Sequence, residues 1–221
     1  ALLTDITPHR INFYRWLKRG LCLSEPLDNR ANAPDVYYRQ RARFNALIGS
    51  AEGRQSAEAA ALFYYLNRTG YNGLCRFNRQ GGFNVPFGRY ASIKYAASFA
   101  MHAAPFRRWQ FMAMDFEGLV LRPDDFIYAD PPYDAAFTGY AKAGFTWQDQ
   151  LRLAEWLARH PGPGVPSNHA TPRMEALYRQ HDFHLAFLDA PRRISANGNR
   201  APVKEVLASR NILKSSDVRS S

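Results

Sequence analysis

Phe126-Ile127-Tyr128-Ala129-Asp130-Pro131-Pro132-Tyr133 reads as a short apolar strand running directly into a stiff acidic turn closed by an aromatic ring. Four consecutive apolar residues suit a short strand. The Pro-Pro unit then ends it, because it enforces an extended backbone and removes two N–H donors. With each residue at about 3–5% of average usage, a chance DPPY in a chain this long has a probability of order 10⁻³. A strand-terminating turn accounts for the prolines. It does not account for a carboxylate and an aromatic ring on either side of them.

Outward from this strand the pattern alternates helix and strand. Thr146 with Asp149 three residues on forms a capping box for a helix to about residue 160, and a second helix follows Pro172. Strand-like runs lie at 183–188 and 203–208. At the other end, Leu2-Leu3 and Thr4-Asp5 read as the end of a buried strand, and Pro8 opens a helix through Leu17 with Ile11, Tyr14 and Leu17 at helical spacing. Asp5 and Asp130 therefore both stand at strand ends, where open α/β sheets bind their ligands. Between them, residues 20–55 read as loop-rich, with Pro26, Asn29, Asn32 and Pro34 as breakers. Ser56 is a candidate N-cap for a buried helix over about 57–67. Residues 69–90 hold Gly70, Gly73, Gly81, Gly82, Gly88 and Pro86, and Gly81-Gly82 between Phe77-Asn78 and Phe83-Asn84 predicts a hairpin. The three prolines of PGPGVPSNH, residues 161–169, argue against a central strand there. The terminal KSSDVRSS is expected to fray.

Composition narrows the function classes. Of 221 residues, 46% are hydrophobic and 22% charged, as in a globular chain. There is no run of about 18 apolar residues and no basic-then-apolar leader, so a cytoplasmic protein is expected. Two cysteines are too few for a disulfide framework. Histidines 181 and 184 lack further ligands nearby, and Ser167-Asn168-His169 lacks an orienting acid, so neither a metal site nor a nucleophile–base pair is expected. The net charge of +10 is concentrated. Residues 59–114 contain no Asp or Glu, seven Lys or Arg and thirteen aromatics. Cations neutralise phosphates and rings stack on bases, so a nucleic-acid partner competes evenly with a solvated basic face over an aromatic core.

DPPY suits transfer to an amine. The exocyclic amine of a base is a poor nucleophile because its lone pair is delocalised. A carboxylate accepting one N–H and a rigid backbone carbonyl accepting the other favour a pyramidal nitrogen, while the Tyr133 ring can stack on a base turned out of the duplex.

FIYADPPY resembles motif IV of the amino methyltransferases, and NRTGYNGLCRFNRQGGFNVPFGRY (67–90) resembles the recognition hairpin of Dam-type DNA adenine methyltransferases acting on GATC. LLTDITPHRINFYRWLK, FTGYAKAGFTWQDQLRLAEWL, SNHATPRMEALY and RRISANGNRAPVKEVL resemble the same family, in its order, over nearly the whole chain. The resemblance implies an α/β, Rossmann-like core at 1–19 and 96–221 that uses S-adenosylmethionine, interrupted by a DNA-recognition domain at 20–95. It implies methylation of adenine N6 in double-stranded GATC by a monomer of bacterial or phage origin, without metal or membrane.

Carried over by position, Asp130 is the acid that accepts the target amine, Pro131 and Pro132 set the turn, and Tyr133 stacks on the flipped adenine. Asp5 bonds the cofactor ribose, with a helix cap as its plainer alternative. Asp115-Phe116 lies near the cofactor adenine, or is a plain strand end. Tyr71 enters the duplex, and Asn72, Leu74, Arg76, Pro86 and Tyr90 contact the target. Leu74 and Pro86 suit a thymine methyl and Arg76 a guanine edge, while Arg79 and Arg89 suit phosphates. Arg192, Arg193, Ser195 and Asn197 resemble a loop along the DNA, against a solvated basic turn. The family's KWAGGK and FxGxG segments, roughly 40–50 residues by resemblance, have no counterpart before Ala1, and only Asp134-Ala135-Ala136 separates Tyr133 from FTGY. The alternatives are a catalytically silent DNA-binding remnant and, less favoured by the hairpin, a methyltransferase acting on RNA or protein amines.

Overall fold

The computed structural model describes residues 1–23, 32–96, 98–134, 144–190 and 203–212. The chain forms two compact units, Ala1–Gly118 and Leu119–Ser221.

In the first unit β1 (Leu2–Asp5) and β2 (Gln110–Ala113) pair in parallel, with Asp5 opposite Ala113. Leu2 is 42% exposed, so β1 is not the buried strand its apolar start suggested; among the described residues its ladder has two strands, and β2 is its one neighbour. Helix α1 (Pro8–Lys18) starts with proline in its first turn, where no N–H is needed, and buries Ile11 and Leu17. Residues 20–55 are less irregular than expected. Pro34 opens a helix, α2 (Pro34–Leu47), with Asp35 in the first turn, and a single turn, α3 (Ala51–Arg54), follows. A proline at a helix start is a nucleating residue and only inside a helix a breaker. The apolar stripe of α2 is narrow, with Tyr37 and Phe44 its fully buried rings, so its period is weak. The Ser56 hydroxyl caps α4 (Ala57–Thr69) by accepting from Ala59 N–H at 3.0 Å, and α5 spans Ala100–Phe106.

Helices α2 and α4 share one core with the glycine-rich segment: Tyr37, Phe44, Phe63 and Leu66 pack with Phe83 and Val85. The α2 side chains also hold that segment's backbone. Tyr37 and Arg41 donate to the Val85 carbonyl at 2.8 and 2.9 Å, and Asn45 brackets Phe83, accepting from its N–H at 2.8 Å and donating to its carbonyl at 3.1 Å. The hairpin forms as the glycines predicted. Phe77 bridges Phe83, and Gly81 turns with φ +80°, a conformation that costs glycine nothing.

His9 sits in this unit with 8% of its surface exposed, stacked on Phe77 at 4.8 Å and edge-on to Phe44 at 5.5 Å, its Nδ1 without a partner. Burial, helped by the Arg54 charge, pushes its pKa down to about 4. The unfolded chain, with an ordinary histidine near 6.5, binds the extra proton first. Stability should therefore be full above pH 6.5 and fall as the pH drops toward 4, by on the order of 2–3 kcal/mol. Urea titrations at pH 7 and 5 measure this; His9→Gln should flatten the difference.

The second unit holds β3 (Ile127–Ala129), α6 (Trp147–Arg159), β4 (Gly164–His169), α7 (Pro172–Gln180), β5 (His184–Ala190) and β6 (Val203–Ser209). The sheet order is β3-β4-β6-β5, with β3–β4 parallel and the other pairs antiparallel. The Thr146–Asp149 capping box starts α6, whose Leu153, Ala154 and Leu157 are buried; α7 buries Met174, Leu177 and Tyr178. PGPGVPSNH is a correction: it supplies β4, between β3 and β6. The strand tolerates Pro166 because pairing with β6 runs through Ser167, Asn168 and His169, and the next bridge, Gly164 to Arg210 just past β6, skips the proline. Among the described residues no helix is long and apolar enough to cross a membrane, and no group of three or more His, Cys, Asp or Glu could hold a metal ion.

Candidate active site

Asp130 follows β3 directly, and the parallel partner β4 sets Pro166 opposite Ala129, so Ser167 lies one step past the strand end beside the turn. Its hydroxyl, 1% exposed, donates to Asp130 Oδ1 at 3.0 Å and accepts from the Tyr128 phenol at 3.3 Å. The same hydroxyl lies beside the Tyr133 phenol, whose pKa burial pushes up and Ser167 draws partly back. The Tyr133 ring stands edge-on to His169, centroids 5.0 Å apart.

Two side chains clamp the turn's backbone. Gln150 Nε2 donates to the Pro132 carbonyl at 2.8 Å, and Asp134 N–H donates to Asn168 Oδ1 at 2.7 Å. Asn168 Nδ2 donates to Gln150 Oε1 at 3.2 Å, which joins the two clamps. Asn168 is fully buried and Gln150 4% exposed, so these bonds face little competition from water. Among the described residues no donor reaches the Pro131 carbonyl. The turn thus presents an exposed carboxylate and, one residue on, an uncommitted carbonyl on a rigid frame.

Beyond the turn, Asp134 is buried and paired. Thr171 Oγ1 donates to its Oδ2 at 2.9 Å, and Arg173 grips both oxygens, with Nε at 2.6 Å from Oδ2. Hydrogen bonding from Arg173 holds the Asp134 carboxyl below the usual carboxylate range. Arg173 also lies over the Trp147 ring, 4.7 Å from its centroid. Ser167, Asn168, Gln150, Asp134 and Arg173 were not singled out as site residues from the sequence. Ser167-Asn168-His169 follows three prolines that hid the strand, so the sequence carried no signal that places these polar side chains beside the turn.

In the first unit, Asp5 ends β1 and Asp115 stands two residues past the end of its parallel neighbour β2. Asp5 Oδ1 accepts Thr7 N–H at 2.6 Å and its Oδ2 pairs with Arg10; the N-cap of α1 is Thr7, so Asp5 braces the helix entry and is not the cap its plainer reading made it. A carboxylate has about four acceptor positions, so room for a diol remains. Asp115 Oδ1 accepts from Glu117 N–H at 3.0 Å, and Phe116 begins the short 3₁₀ turn Phe116–Gly118.

The glycine-rich segment gathers the expected DNA contacts on one fold element. Tyr71 N–H donates to the Pro86 carbonyl at 2.8 Å, and Gly88 N–H to Thr69 at 2.8 Å, which closes the segment's base. Tyr71, Leu74, Arg79, Pro86, Arg89 and Tyr90 are exposed, and Asn72 and Arg76 half-buried. Tyr90 leans back, donating to the Gly70 carbonyl at 3.1 Å. Arg76 reaches across the hairpin to Asn84, its Nε 2.8 Å from Oδ1 and a terminal nitrogen 3.0 Å from the carbonyl. Arg192, Arg193, Ser195 and Asn197, the FTGY segment and the terminal KSSDVRSS lie outside the described residues.

The sequence profile of the D12 class N6 adenine-specific DNA methyltransferase family matches residues 1–194. A DNA adenine methylase of Vibrio cholerae is 37% identical to this chain, over 94% of it and 78% of the relative. The DNA adenine methylase of Escherichia coli K12 is 34% identical, over 94% and 78%. The Retron Ec67 DNA adenine methylase of Escherichia coli is 34% identical, over 94% and 74%.

Proposed function

The chain belongs to the D12 class of N6 adenine-specific DNA methyltransferases, and on that premise we propose that it methylates adenine N6 in GATC duplexes with S-adenosylmethionine as donor. The observation that carries this reading is the clamped Asp130-Pro131-Pro132-Tyr133 turn, with a carboxylate and a carbonyl side by side. Asp130 and the Pro131 carbonyl each accept one N–H of the target amine. This localises the nitrogen lone pair, which must attack in line. Tyr133 stacks on the adenine once it leaves the duplex, a step that costs a few kcal/mol and needs a ring to receive the base.

When bound, S-adenosylmethionine supplies an electrophilic methyl carbon. Asp5 suits its ribose hydroxyls, since carboxylates fill that role at strand ends, and Asp115-Phe116 suits its adenine. The methyl acceptor loses one proton on product formation, and Asp130 stands at the atom that releases it. Residues 1–19 and 96–221 serve as a Rossmann-like catalytic core and 20–95 as the recognition domain. The core that α2 and α4 share with the hairpin makes the middle segment cohesive, within the same compact unit as residues 1–19 and 96–118.

The test is transfer of labelled methyl groups to a GATC duplex and to a scrambled one. Label should enter the first only. Arg76→Ala should cost about 1–3 kcal/mol on GATC and relax the preference at one base pair. Since the Arg76 guanidinium rests on Asn84 without DNA, reading a guanine exchanges those bonds for new ones. Arg89→Ala should weaken all duplexes alike and lower the salt slope by about one. Equal losses on both duplexes for both variants would reduce Arg76 to a phosphate clamp.

A further inference from the structure

We propose that Ser167 is a positioning residue for the acceptor amine, fixing which oxygen of Asp130 faces the base; the inference rests on the reading above. An exposed aspartate at the end of a strand turns freely about its two side-chain torsions. Ser167 removes that freedom from a rigid place. It sits within β4, its backbone paired opposite Leu207 on one side and next to the Ala129–Pro166 pair on the other.

The hydroxyl has a single proton, and its surroundings direct it. Tyr128 O–H donates into Oγ at 3.3 Å, filling an acceptor position. Besides the neighbouring Tyr133 phenol, the proton of Ser167 has the Ala129 carbonyl at 3.5 Å and Asp130 Oδ1 at 3.0 Å in range. The nearer and charged one wins, because bonds to ionised acceptors are roughly twice as strong as neutral ones. Oδ1 is thereby engaged, and Oδ2 is left to accept the amine. The proximity of the same hydroxyl to Tyr133 ties the stacking ring to the carboxylate. His169 packs its ring on Tyr133, so Ser167-Asn168-His169 frames the turn and is not a nucleophile–base pair.

The wild-type protein, Ser167→Ala, Ser167→Thr, Tyr128→Phe and Asp130→Ala are compared in single-turnover methylation of GATC duplex. Duplex KM, melting temperature and the fluorescence of 2-aminopurine at the target position are measured in parallel. Ser167→Ala should lower kcat by about 10–100-fold with KM within about threefold. Ser167→Thr, which keeps the hydroxyl on a strand, should recover most of the rate, and Tyr128→Phe should lose about two- to fivefold. The 2-aminopurine signal should persist in Ser167→Ala but report a less quenched, more mobile base. A Ser167→Ala rate within about twofold of wild type overturns the inference, as does a loss that tracks melting temperature and is not rescued by threonine. A wild-type protein indistinguishable from Asp130→Ala overturns the functional reading itself.

Discussion

Replacing Asp130 by alanine lowers methylation of a GATC duplex by at least about 100-fold while leaving duplex affinity within about threefold. The reason is the division of labour within the turn. On the proposed mechanism, without Asp130 the Pro131 carbonyl accepts one N–H alone, and the amine nitrogen relaxes toward the planar, unreactive geometry. On the proposed reading binding is carried elsewhere, by the cations and rings of the 67–90 segment, which contains no carboxylate to oppose them. Asp130→Asn is the sharper companion. It keeps the shape and one acceptor oxygen but loses the charge, and the Ser167 hydroxyl can still bond to it. Its rate should fall between the two. Methylation of Asp130→Ala within about tenfold of wild type, scored by labelled methyl transfer, would remove Asp130 from the chemistry.

Replacing Asn168 by alanine destabilises the protein by about 2–4 kcal/mol and slows methylation as well. Asn168 is fully buried, and its side chain bonds on several sides: Oδ1 accepts Asp134 N–H at 2.7 Å and His169 N–H at 2.9 Å, and Nδ2 donates to Gln150 at 3.2 Å. Alanine leaves the Asp134 amide and the Gln150 carbonyl oxygen unsatisfied, each in a site shielded from water. A buried group left without its partner costs about 1–3 kcal/mol, which sets the range. Gln150, released, also loosens its hold on the Pro132 carbonyl. Chemical denaturation measures the first effect and single-turnover rates the second. A midpoint shift worth less than about 1 kcal/mol would mean that the network carries no net stability.

These two residues differ in how visible they are in the sequence. Asp130 stands out because its signal is contiguous: an apolar run, a carboxylate, two prolines and a ring occupy eight successive positions. Asn168 shows no such signal. Its partners Asp134 and Gln150 lie 34 and 18 residues away, and no local period links them. The same holds for Arg173, which meets Asp134 39 residues earlier, and for Ser167, which reaches Asp130 across 37. Each looks like an ordinary polar residue until the β3–β4 pairing brings its strand alongside the turn.

What the amino-acid sequence determined by itself is whatever a few neighbouring residues decide among themselves. The Thr146–Asp149 capping box, the Ser56 cap, the prolines that open α1 and α7 and the glycine turn at Gly81 all formed where their chemistry placed them. Each satisfies its own backbone groups within one turn, so distant packing has no vote. Tertiary structure decided the rest. It made a central strand of PGPGVPSNH, by pairing around Pro166 and burying Ser167 and Asn168, and it made a helix of Pro34–Leu47 by burying Tyr37 and Phe44 against α4 and the hairpin. In both places local propensity was weak or opposed, and burial against partners far along the chain outweighed it.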